Sequence, residues 1–72
     1  SVGGDVDFMD VLTPREKEVV ELLAQGVPQV EIARRLHIEY TTVTKHAAAA
    51  RQKTGCNTAQ LAIKAARVMG RE

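Results

Sequence analysis

The sequence predicts a small all-α domain of four helices. Three observations predict it: the apolar residues recur at helical spacing, no segment alternates like a strand, and helix-start and helix-stop residues frame each segment. The chain has 72 residues, of which 44% are apolar and 26% charged, the composition of one globular domain. Residues 1–11 are acidic and lack a helical period, so they are interpreted as a linker or flexible N-terminal segment before a domain at residues 12–70.

The first predicted helix has a strong start signal. Thr13 is an N-cap residue, Pro14 occupies the first helical position and Glu16 the third, which together form a capping box with a proline start. Apolar residues then follow at helical spacing, and Gly26 is expected to end the helix.

The remaining helices are shorter or less strongly marked. The second is predicted at about residues 29–36, and the third from residue 40 or 41 to residue 53. A second capping box, at Asn57 and Gln60, begins a fourth helix that runs to about Met69.

The second and third helices are joined by about four residues, which predicts a helix-turn-helix unit. Two helices cross closely only where the first presents a small side chain, and Ala33 fits that position. Larger apolar residues are placed to fill the angle between the helices: Ile32, Leu36, Ile38 and Val43.

Charge is divided unevenly along the chain. Residues 1–31 carry a net charge of −5 and residues 32–72 a net charge of +6, although the whole chain is only +1. This asymmetry favours a polyanionic partner for the second part. The alternative is a solvated surface on which the signs happen to be segregated.

Residues 12–26 read LTPREKEVVELLAQG and residues 31–36 read EIARRL; Ile38, Thr42, Val43, Lys45 and His46 continue the pattern. Over about residues 12–69 the chain resembles the LuxR-type (GerE, NarL/FixJ-like) helix-turn-helix DNA-binding domain of bacterial transcriptional regulators. The resemblance implies a four-helix domain whose third helix enters the major groove of double-stranded DNA. It also implies that the fourth helix pairs two copies. The chain departs from the family pattern at Pro28, Glu39, Thr44 and Ala48, the last two of which are commonly basic in the family.

The same resemblance implies a setting for the domain. It would be the C-terminal effector domain of a cytoplasmic regulator. An N-terminal part would sense phosphorylation or a small ligand, as in response regulators and quorum-sensing regulators. RNA polymerase is a further candidate partner, and no cofactor, metal or membrane is expected.

The exposed stripe of the third helix and the outer face of the second supply the candidate site residues. Side chains placed to meet base edges are Thr44, Lys45, Ala48 and Gln52. Candidate phosphate contacts are Thr41, Thr42, Arg34, Arg35, Arg51 and Lys53. If the four basic residues of that set contact phosphates, the log binding constant should fall with log salt concentration at a slope of about −3.6.

The fourth helix leaves two interpretations open. Its apolar residues Leu61, Ala65 and Val68 pack inward, or they form the face that pairs two copies, and they are assigned here to pairing.

Two other functions compete with this interpretation. A sigma-factor promoter-reading domain has a similar helix-turn-helix, but would normally end near the third helix. A protein-interaction module that only dimerises would show no salt-dependent binding to DNA. An enzyme is disfavoured because the sequence has no nucleophile–base pair, glycine-rich phosphate loop or metal-ligand cluster.

Overall fold

The computed structural model describes residues 8–70 of the chain. It contains a short 3₁₀ helix, Phe8–Val11, followed by four α-helices: α1 (Pro14–Ala24), α2 (Gln29–Leu36), α3 (Tyr40–Thr54) and α4 (Thr58–Met69). The all-α, four-helix prediction is confirmed. The part of the predicted linker at residues 1–7 lies outside the described residues.

Both predicted capping boxes form. The Glu16 amide donates to Thr13 Oγ1 at 3.2 Å, and the Thr13 amide donates back to Glu16 Oε1 at 3.0 Å. At the start of α4 the two reciprocal bonds between Asn57 and Gln60 are each 2.8 Å long. The residues that precede α2 and α3 make no side-chain cap bond. Each box in α1 and α4 therefore satisfies two N-terminal amides, whereas the starts of α2 and α3 have no side-chain cap and depend more on packing.

The buried apolar residues form two clusters on either side of α1. The helix-turn-helix core joins α1, α2 and the first half of α3 through Val19, Val27, Ile32, Ala33, Val43 and Ala47. The α4 core joins the 3₁₀ helix, α1, the end of α3 and α4 through Met9, Leu12, Val20, Ala50, Cys56, Leu61 and Ala65. Because α3 contributes to both clusters, its orientation is fixed along most of its length.

The domain begins earlier than the sequence indicates. Met9 is only 2% exposed and lies in the α4 core, so the linker interpretation is wrong at this residue. The 3₁₀ helix turns the chain back, with the Leu12 amide donating to the Met9 carbonyl at 3.0 Å. One buried side chain in a short, aperiodic segment gives no pattern for sequence analysis to detect.

The turn between α2 and α3 is tight and contains no glycine. His37 adopts the left-handed conformation, with φ 57° and ψ 44°. The Ile38 amide donates to the carbonyl of Ala33 at 3.1 Å, a bond of the kind that closes a Schellman turn. This turn sets the direction in which α3 leaves α2.

Candidate nucleic-acid interface

The two faces of α3 differ in burial and in chemistry. Val43, Ala47 and Ala50 are at most 1% exposed and pack into the two cores. On the other face, Thr41 and the three base-edge candidates Lys45, Ala48 and Gln52 are exposed. The fourth candidate, Thr44, is half-buried, as is the phosphate candidate Thr42. The outward surface of α3 therefore carries small, polar and cationic side chains, as the helical spacing predicts.

Lys45 lies near the middle of this surface. Within the described part of the chain it forms neither an ion pair nor a side-chain hydrogen bond. Its ammonium group is therefore available to an incoming acceptor without first breaking an internal contact.

Thr44 differs from Lys45 in using its polar group within the protein. Its hydroxyl donates to the carbonyl of Thr41, one turn earlier in α3, at 2.7 Å. This bond occupies the single hydroxyl proton and leaves the methyl group and the oxygen lone pairs for other contacts.

Arg34 and Arg35 on α2 share one carboxylate. Arg34 Nε donates to Glu31 Oε1 at 3.0 Å, its Nη2 pairs with Oε2, and Arg35 Nε donates to Oε2 at 3.2 Å. The hydrogen bonds from Arg34 and then Arg35 lower the pKa of Glu31, and Glu31 raises the pKa of Arg34. Both arginine side chains remain largely exposed: 74% of the Arg34 side chain and 50% of the Arg35 side chain are accessible to solvent. In the free domain their positive charge is partly offset by the carboxylate that they share.

Lys53 is held at the other end of α3. Its Nζ donates to Glu16 Oε1 at 2.8 Å, and Glu16 is only 6% exposed. The hydrogen bond from Lys53, followed by the one from the Thr13 amide, lowers the pKa of Glu16 against the opposing effect of burial. The two residues are 37 positions apart. The sequence marks Glu16 only as part of a capping box, because no local spacing indicates so distant a pair.

Arg51 also has an internal partner. Its Nη1 donates to Thr58 Oγ1 at 3.3 Å, which joins α3 to the first turn of α4. All four predicted basic phosphate contacts therefore have a hydrogen-bond partner within the domain, in contrast to Lys45.

The assignment of Leu61 and Ala65 to a pairing face is wrong for the folded chain. Both residues are 0% exposed and pack in the α4 core, which is the inward alternative that the sequence left open. Val68 is half-buried. The outward surface of α4 is formed by other residues, of which Ile63 is the largest apolar one at 54% exposure: Ala59, Gln60, Ile63, Lys64, Ala66 and Arg67.

A surface depression between α1 and α2 has a different character from the α3 surface. It is lined by Glu18, Glu21, Leu22, Gln25 and Leu36. Its two carboxylates would repel a polyanion, so the exposed face of α3 is the better candidate for a nucleic acid.

No helix within residues 8–70 combines the length and the apolar character that a bilayer span requires.

Two short helices packed across a tight turn, the second with an exposed polar and cationic face, define the helix-turn-helix class of DNA-binding domain. The profile of the GerE family, described as "Bacterial regulatory proteins, luxR family", matches residues 10–66, which is more than half of the chain. The chain belongs to this luxR family. It is therefore a DNA-binding domain of a transcription regulator rather than an enzyme, and its family binds double-stranded DNA.

Two curated relatives agree with this assignment. Both are named "Nitrate/nitrite response regulator protein NarL", one from Escherichia coli (strain K12) and one from an Escherichia coli O6:H1 strain. Each is 54% identical to this chain over 35 residues, which is 49% of this chain and 16% of the relative. The match thus spans about a sixth of those relatives. No solved structure is significantly similar to the chain.

Proposed function

We propose that this domain binds double-stranded DNA with α3 in the major groove, as the C-terminal effector domain of a cytoplasmic bacterial transcription regulator. The observation that carries the proposal is the exposed face of α3, where Lys45 stands without an internal partner among the described residues. The major groove, about 12 Å wide, accepts an α-helix. The opposite face of the helix is fully occupied by the two cores.

The side chains of this face suit particular base edges. Lys45 is a donor for guanine O6 and N7, and Gln52 pairs with the donor and acceptor of adenine. Ala48 offers only a methyl group, which suits thymine, and Thr44 lies one turn before it. Few strong readers are present, so one domain is expected to discriminate modestly between sequences.

The phosphate contacts would come from the ends of α2 and α3. Thr41 and Thr42 lie in the first turn of α3, where amides and helix dipole favour an anion. The basic candidates Arg34, Arg35, Arg51 and Lys53 would exchange internal partners for phosphate. Each exchange should contribute about −0.9 to the slope of the log binding constant against log salt concentration. The measured slope therefore gives the number of exchanges.

The test is a pair of lysine substitutions. Lys45→Gln should weaken binding to a cognate duplex about tenfold, within the ~1–3 kcal/mol range of a good base contact. Lys17→Gln, the same change at a lysine of α1, should leave binding within about twofold. Fluorescence anisotropy at two salt concentrations gives both affinities, and amide NMR shifts locate the contact. Equal losses for the two variants, or shifts confined to α4, would contradict the proposal.

We also propose self-association through the outward face of α4. Ile63 is flanked one turn away on either side by Ala59 and Ala66, so a second helix could approach closely around one large apolar side chain. A symmetric pair would bring two copies of α3 to half-sites one helical turn apart, about 34 Å along the DNA. Sedimentation of the domain on a two-half-site duplex should show two chains per duplex, and Ile63→Asp should reduce this to one. Unchanged stoichiometry would exclude this face.

RNA polymerase is the further protein partner that we propose, because a DNA-bound regulator acts on transcription at the promoter. Pull-down of the polymerase by the promoter-bound regulator tests it, and a matched duplex without the regulator is the control.

A further inference from the structure

We propose that Thr44 and Ala48 together form a methyl surface that selects thymine and disfavours guanine at the base pairs they face. The inference rests on the proposed placement of α3 in the major groove. It starts from the Thr44 hydroxyl, which donates to the Thr41 carbonyl at 2.7 Å. That bond changes what a threonine at this position can recognise.

A hydroxyl ordinarily serves either as a donor or as an acceptor for a base edge. Here the one proton is already donated within the helix, so only the oxygen lone pairs and the methyl group remain. The major-groove edge of guanine presents two acceptors, N7 and O6, and no donor. Guanine therefore finds no hydrogen-bond partner at Thr44 unless the helix-internal bond is broken first.

Thymine fits the remaining chemistry. Its C5-methyl group can pack against the Thr44 methyl. The adenine paired with it has an exocyclic amine that can donate a hydrogen bond to the Thr44 oxygen. Ala48 lies four residues later on the same face and is exposed, and its side chain is a methyl group alone. Four residues of α-helix rise about 6 Å, so the two methyl groups can reach neighbouring base pairs.

The neighbouring side chains sharpen this expectation. Lys45 follows Thr44 in the sequence and is exposed. Its ammonium group is a hydrogen-bond donor that suits guanine. The preferred half-site should therefore contain a guanine read by Lys45 next to thymines read through their methyl groups.

The experiment removes single methyl groups from the DNA. A cognate site is first selected from a randomised duplex pool with the 72-residue chain. Each thymidine of that site is then replaced by deoxyuridine, which keeps base pairing and loses only the methyl group. Replacement at the positions facing Thr44 and Ala48 should weaken binding about fourfold each, the factor expected for one buried methyl-sized group. Replacement at other thymidines should have little effect.

Two variants of Thr44 assign the effect to its methyl group. Thr44→Ser keeps the hydroxyl and removes the methyl, so it should lose the discrimination between thymidine and deoxyuridine at its position. Thr44→Val keeps a methyl and removes the hydroxyl, so it should retain that discrimination. Circular dichroism checks that both variants remain helical.

The outcomes separate this inference from the proposed function. Salt-dependent binding with NMR shifts in α3, but with no response to deoxyuridine or with guanine selected opposite Thr44, would overturn the inference and leave groove binding intact. Loss of discrimination in Thr44→Val but not in Thr44→Ser would also overturn it. Absence of binding to every duplex at low salt would overturn both.

Discussion

At the scale of single residues, Glu31 limits the positive charge that α2 can offer to DNA. It binds both Arg34 and Arg35 through its two carboxylate oxygens. Glu31→Gln should therefore raise affinity for duplex DNA roughly two- to fivefold, because both arginines lose a competing internal partner and a carboxylate near phosphate is removed. Anisotropy titrations of both proteins at the same salt concentration measure the difference.

A matched control for Glu31→Gln exists on α1. Glu18 pairs with Arg15 at 3.0 Å, also three residues apart and also exposed. Glu18→Gln removes the same charge from a helix that is not part of the proposed interface, so it should change DNA affinity less. An equal gain in the two variants would mean that only net charge matters.

Glu16 makes stability depend on pH. Its pKa is lowered from the ordinary value of 4.5, first by the hydrogen bond from Lys53, so the folded carboxylate binds a proton less readily than the unfolded one. Its contribution to stability is therefore complete above about pH 4.5 and is lost as pH falls through the lowered pKa. Glu16→Gln should be less stable than the parent by about 1 kcal/mol at pH 7. Urea unfolding should show this gap closing below about pH 4.5.

The partner residue supplies the control for that effect. Lys53→Gln should also lower stability at pH 7, and the double variant should lose less than the sum of the two single losses, because both changes break one interaction. Strictly additive losses would show that Glu16 and Lys53 act separately.

The exposure of individual candidate residues was predictable where helical periodicity governs it. The period of 3.6 placed Lys45, Ala48 and Gln52 on the exposed face and Val43 and Ala47 on the buried one. The partners of the basic residues were not predictable, because they depend on how side chains from different helices meet.

At the scale of the elements, the turn between α2 and α3 carries local strain. His37 has a positive φ of 57°, which costs a residue with a Cβ about 1 kcal/mol or more relative to glycine. His37→Gly should therefore remove a strain of about 1 kcal/mol. Part of this gain is offset, because glycine has more conformational entropy to lose from the unfolded chain. Thermal unfolding measures the gain. His37→Ala, which keeps the Cβ, should give none; stabilisation by both would point to the imidazole instead of the backbone.

The helices were predictable because their ends carry specific chemistry. Two capping boxes mark the starts of α1 and α4, and Gly55, with φ 72°, directly follows the last residue of α3. The inward face of α4 was not predictable. Its apolar residues extend around much of the helix, so periodicity alone could not choose between packing and pairing: Leu61, Ala62, Ala65, Ala66, Val68 and Met69.

At the scale of the whole molecule, α4 is part of the core that makes the domain fold. Leu61 is fully buried against residues of α1, α3 and the 3₁₀ helix. Leu61→Ala should cost about 2–5 kcal/mol, comparable to the ~3–5 kcal/mol available to a domain of this size. Most of the chain should then be unfolded at 37 °C.

Ile63 is the comparison within the same helix. It is 54% exposed, so Ile63→Ala should change stability by about 0.5 kcal/mol or less. Urea unfolding of the two variants measures both effects. Similar losses at the two positions would contradict the division of α4 into an inward and an outward face.

The separation of buried and exposed side chains on α3 has an evolutionary consequence. The side chains that hold the helix in place, Val43, Ala47 and Ala50, do not overlap with the outward set of Lys45, Ala48 and Gln52. In the proposed groove-binding role, mutations in the outward set would change the operator that is recognised while the scaffold stays intact. A lineage carrying this domain would then redirect its regulon by a few substitutions without passing through an unstable intermediate.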